Sequence, residues 1–91
     1  MVIAGAIARG DAPLLCARLA RLLEGADVGM LECDVHDVDP ADSAAVHGLA
    51  RMQLTALRRG GRIRLCGCSS ELRSLIELIG LSDVLDSGRD G

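Results

Sequence analysis

The chain contains no phenylalanine, tyrosine or tryptophan, and its ten basic residues are all arginine. Without a ring to stack on an unpaired base or a sugar, single-strand nucleic-acid platforms and RNA-recognition sheets are disfavoured. Thirteen acidic residues outnumber the basic ones and give a net charge of −3, the wrong sign for a phosphate backbone. Nucleic acid is therefore not expected as a partner. No apolar run approaches the ~20 residues of a membrane span. Met1 to Gly10 lacks a basic region followed by a signal-type core, so a cytoplasmic location is expected. Repeats, linkers and low-complexity blocks are absent too. What remains is a 91-residue chain, 49% hydrophobic, enough for one small domain with an aliphatic core. The wealth of Ala, Arg, Gly, Leu and Asp points to a high-GC, bacterial source.

The pattern predicts strands alternating with helices. Val2 to Ile7 reads as a buried strand, and Asp11 with Pro13 as the start of a helix running to about Glu24. Leu15, Leu19, Leu22 and Leu23 fall on one face of that helix. Gly29 to Val35 alternates as a second strand, with Leu31, Cys33 and Val35 inward. His36 to Ala41 is then expected to be an acidic loop. A second helix follows Asp42-Ser43, with Ala45, Leu49, Met52 and Ala56 as its stripe, and ends at Gly60-Gly61. Arg62 to Cys66 is a third strand. Ser69-Ser70 opens a third helix with the stripe Leu72, Leu75, Ile76 and Ile79. Leu81 to Leu85 is a short element of open type, and residues 87–91 read as a disordered tail. Such an order implies βαβ units and a mainly parallel sheet, as flavodoxin-like and thioredoxin-like folds also have.

From Asp34 to Leu81, four blocks occur in order and at matching spacing: Asp42-Ser43-Ala44-Ala45-Val46, Gly60-Gly61-Arg62-Ile63-Arg64-Leu65, Ser69-Ser70-Glu71-Leu72-Arg73 and Ile79-Gly80-Leu81. This set resembles the second half of the STAS domain (sulphate transporter and anti-sigma factor antagonist), and the first strand and helix extend the likeness to residues 1–86. The resemblance implies a compact α/β domain: about four strands, mixed or mainly parallel, with three main helices. It also implies a bacterial regulatory adaptor, not an enzyme, that docks an anti-sigma factor or switch kinase through the N-terminus of the second helix. Such a chain would regulate transcription and signalling without touching DNA. A second implied role is an accessory subunit of a lipid-transport ATP-binding cassette complex, with a transport ATPase as partner. The chain departs from the family at the usual phospho-acceptor, where Ala44 stands, and Ala45 replaces the following glycine. Only one strand precedes the first helix where the family has an added edge strand. The uncovered edge makes either a monomer or a homodimer consistent with the sequence.

By that resemblance, the partner-binding residues are Asp39, Asp42, Ser43, Ala44 and His47. The residues themselves also permit plain N-capping by Asp42-Ser43, and a minor role for Ser43 as a phosphorylation site. Asp34, Asp37, Asp39 and Asp42 lack the glycine and terminal glutamate of a calcium loop and read as a solvated rim. Cys66-x-Cys68 with Cys33 and His36 has neither the knuckle spacing of a zinc site nor the C-x-x-C of thioredoxin. No metal is expected. Neither His36 nor His47 has a nucleophile at motif spacing, and the glycines form no phosphate cradle, so no cofactor is expected.

Overall fold

In a computed structural model, residues 1–25, 29–81 and 84–85 are described. Three strands, β1 (Val2–Gly5), β2 (Met30–Val38) and β3 (Arg62–Cys66), alternate with helices α1 (Ala12–Gly25), α2 (Ser43–Arg58) and α3 (Ser70–Ile79). All strand pairs are parallel, in the order β1-β2-β3. Both crossovers step the same way across the sheet. Right-handed connections therefore put α1 and α2 on one face, and leave Val2, Met30, Glu32 and Arg62 exposed on the other. Ile3, Cys33, Val35, Ile63 and Leu65 point to the helices and meet Leu19, Leu49, Met52 and Leu72 in one aliphatic core. Lacking rings, that core is filled by branched chains and a methionine, whose flexibility suits irregular gaps.

The sheet has three strands among the described residues, one fewer than the sequence suggested. Leu81 to Leu85 is the reason at one end. Leu85 N–H and Val84 N–H both donate to Leu81 C=O, a helical turn that plugs buried Leu85 into the core. The 87–91 tail expectation lies outside the described residues.

The start of α1 also differs. Asp11 does not cap α1; it ends a short 3₁₀ turn, Arg9–Asp11, and its carboxylate accepts from Ala8 N–H at 3.0 Å. Leu15 and Leu19 are buried as expected, but Leu22 is exposed, and so is Leu14 at 68%. The other two helices begin as read. Asp42 Oδ1 accepts from Ala45 N–H at 2.9 Å, and Ser69 Oγ from Leu72 N–H at 3.1 Å. Each cap is worth about 1 kcal/mol. Gly60, at φ 81°, closes α2 in the left-handed conformation anticipated for it.

Gln53 is the one buried polar side chain among the described residues. Its Nε2 donates to Ile63 C=O at 3.2 Å and Val84 C=O at 2.9 Å, while Oε1 accepts from Ile63 N–H at 2.8 Å. One amide thereby replaces the missing neighbour of β3 and ties α2 to the C-terminal turn.

Candidate functional site at the tip of the second helix

The strand β2 runs on through Val38, so His36 and Asp37 lie in the sheet and not in a loop, contrary to the alternation read from sequence. A bulge extends it. Between Val2↔Asp34 and Ala4↔Asp37, β2 carries two residues, Val35 and His36, opposite Ile3 alone. The extra residue leaves the His36 N–H without a ladder partner, and Asp34 Oδ1 accepts it at 3.1 Å. The same oxygen lies 2.8 Å from His36 Nδ1, and Asp37 Oδ1 lies 3.2 Å from Nε2. Hydrogen bonding to Asp34, then the charges of Asp34 and Asp37, raises the His36 pKa above its ordinary 6.5. The Asp34 carboxyl is held below 3.8, chiefly by its hydrogen bonds from His36.

These opposite shifts fix a pH window. Asp34 contributes stability above about 3.8 and loses it as pH falls through its lowered value. His36 contributes fully below 6.5 and loses its share as pH rises through its raised value. The pair therefore stabilises most between those two limits. Thermal melts from pH 5 to 9 are expected to show a decline on the alkaline side that His36→Ala flattens. An unchanged slope would show that the pair contributes nothing; both groups are exposed, so the effect is small.

Past the bulge the acidic segment leads into α2. Asp39, Asp42, Ser43 and His47 are exposed around the helix tip, and Ala44 is half-buried. All five sequence-derived positions thus surround one helix N-terminus at the C-terminal end of a parallel sheet, where open α/β sheets place their binding crevices. Beside them lies a groove of about 220 Å³ lined by Ser43, Val46, His47, Ile79 and Leu81. Val46 forms its floor. Ile79 had been expected in the core; it is 46% exposed because α3 ends before its stripe completes a further turn against α2. The groove's apolar wall was therefore invisible to periodicity. Only the crossing of α3 beside the start of α2 creates it.

All four cysteines are free, and among the described residues no three His, Cys, Asp or Glu side chains are placed to share a metal ion. Burial pushes the Cys33 thiol up to about 11, and Cys68 is also raised by burial. Desolvation, and then the Glu32 carboxylate 3.6 Å away, shift Cys66 the same way. Raised thiol pKa values keep these three protonated and poorly nucleophilic.

The protein-family model described as "Mlab, STAS domain" matches residues 1–86. The chain belongs to the STAS family. Its fold, three helices on a parallel sheet, is that of a STAS-like domain, and STAS domains are in general regulatory or protein-interaction modules. A search of curated proteins returned no match. Among the described residues no helix is long and apolar enough to cross a membrane.

Proposed function

We propose that this STAS domain is a non-catalytic cytoplasmic docking module whose partner protein grips the tip of α2 and inserts an apolar side chain into the adjoining groove. One observation carries the reading: Asp39, Asp42, Ser43 and His47 are exposed at one rigid, capped helix end, directly against a groove walled by Ile79 and Leu81. A fixed polar rim around an apolar pocket suits recognition, since the pocket supplies burial and the rim sets orientation. The cap, the buried stripe of α2 and the β2 strand beneath hold it stiff, which lowers the ordering cost of binding.

Read as an anti-sigma factor antagonist, the module binds an anti-sigma factor or switch kinase in a bacterial cell and so regulates transcription. With Ala44 at the acceptor position, that docking runs without phosphorylation there. Ser43 is exposed one residue earlier, and its modification would place charge in the groove mouth. The second reading is an accessory subunit of a lipid-transport ATPase. Two observations favour it: the matched family's description names Mlab, and Ala44 removes the switch that antagonists use. Affinity capture from the native host separates the two by which ATPase is retained.

Ala44→Glu tests the surface. A carboxylate in the first turn suits the helix dipole, so the fold should hold. Binding to the captured partner should weaken by more than ~1 kcal/mol, through a misplaced charge at the contact. Unchanged affinity by calorimetry, with Ile79→Asp also silent, would place the contact elsewhere.

A further inference from the structure

Among the described residues the sheet has three strands and so two edges, and these are treated differently. On β3, Arg62 N–H bonds to Gly29 C=O, so Ile63 turns its peptide groups outward. Gln53 satisfies both of them, and Arg62 and Arg64 add charge to that strand. That edge is closed at Ile63. On β1, Met1 C=O accepts from Asp34 N–H and Gly5 C=O from Asp39 N–H, so the alternate residues Val2 and Ala4 present their N–H and C=O to the outside. The segment Val2-Ile3-Ala4-Gly5 bears no charge, no proline and no bulge of its own. Natural proteins normally blunt such an edge.

Next to this edge, between β1 and α1, lies a groove of about 290 Å³ lined largely by Ile3, Ile7, Leu14 and Leu15, with Asp11 and Arg18 among its walls. Leu14 and Val2, at 68% and 59% exposure, sit on either side of the strand. Asp11 and Arg18 are seven residues apart, two helical turns, and so mark opposite ends of the groove with opposite charge. A two-fold axis through its middle exchanges those ends. Asp11 of one copy then faces Arg18 of the other, while Leu14 meets its counterpart's flank.

We infer that a second copy of this chain occupies the β1 edge, making an isologous dimer with a continuous six-stranded sheet. The axis is normal to the sheet at Ile3. Val2 of each copy opposes Ala4 of the other, and each pair exchanges N–H···O=C bonds in the antiparallel manner. Ile3 pairs with Ile3 of the second copy beneath the two α1 helices, which run antiparallel on the same face. The self-complementary charge singles out a second copy over an unrelated extended peptide, which would have no reason to match Asp11 and Arg18 together.

The α2 tip takes no part in this contact, so the inference stands or falls apart from the docking proposal. Sedimentation equilibrium of the full chain up to about 300 µM is expected to show a monomer–dimer equilibrium. Ala4→Pro removes only an outward N–H, which an edge strand tolerates, and should raise the dimer dissociation constant at least ~10-fold. Leu14→Lys, at an exposed helix position, should do the same without altering the circular dichroism spectrum. Partner binding should survive both, and Ala44→Glu should leave dimerisation unchanged. A chain that stays monomeric throughout, or a dimer indifferent to both variants, overturns the inference. Protected Val2 and Ala4 amides in a monomer would overturn it too, by showing that another segment holds the edge.

Discussion

Replacing Gln53 by leucine is expected to lower the stability of this domain by about 3 kcal/mol, although volume and helix propensity barely change. The wild-type amide makes three hydrogen bonds in a buried position, two to Ile63 and one to Val84. Leucine would leave the Ile63 N–H and C=O facing aliphatic carbon, each an unmet group costing about 1–3 kcal/mol. The hydrophobic gain of the new side chain offsets only part of this. For a domain of this size the midpoint of thermal unfolding should fall by more than about 12 °C. Gln53→Glu separates the donor from the acceptor. Its ionised form keeps an acceptor for Ile63 N–H but sets a buried carboxylate against two carbonyl oxygens. Burial raises that carboxyl's pKa, so this variant should regain stability as pH falls and the acid can donate one bond. A leucine variant melting within a few degrees of wild type would mean that water reaches the β3 edge.

Gly67→Ala is expected to cost a further large amount, for two reasons that a control variant separates. Gly67 has φ 74°, where a Cβ costs roughly 1–2 kcal/mol. A Cβ there would also stand 2.8 Å from His36 Cβ and 3.3 Å from Asp34 Oδ1, on the side of the bulge. The Asp34 carboxylate can swing aside, but His36 Cβ is fixed to the backbone, so the strand must shift as well. The combined loss should be about 3 kcal/mol, in the range of the larger single-site effects. Gly60→Ala is the control. Its φ is 81°, yet nothing lies within 4 Å of the added carbon. It should cost only the conformational part, and the gap between the two variants measures the contact. His36 gives a second readout: in Gly67→Ala its pKa, followed by NMR, should drop back toward 6.5 as the Asp34 oxygen is displaced. Equal losses in the two glycine variants, with His36 unmoved, would mean that β2 yields freely at the bulge.

The two deciding contacts have something in common. Both involve residues that local pattern treats as unremarkable: a glutamine beside an apolar stripe, and a glycine between two cysteines. Their importance comes from partners 10, 31 and 33 residues away in sequence, which no window of helix or strand period can detect.

What the amino-acid order determined is local. Apolar spacing and capping chemistry set α2, β3 and α3, down to the acceptor oxygens of Asp42 and Ser69 and the left-handed Gly60, because caps and periodicity act within a few residues. Motif order was enough for the STAS family, and the five sequence-derived positions do gather at one helix tip. Tertiary structure decided the rest. Strand order and crossover hand left one face bare; pairing across β1 and β2 created the bulge that pulled His36 into the sheet; the crossing of α3 over α2 turned Ile79 into a groove wall. Those features arise from contacts between segments far apart in the chain, and such contacts become definite only when the whole core closes around them.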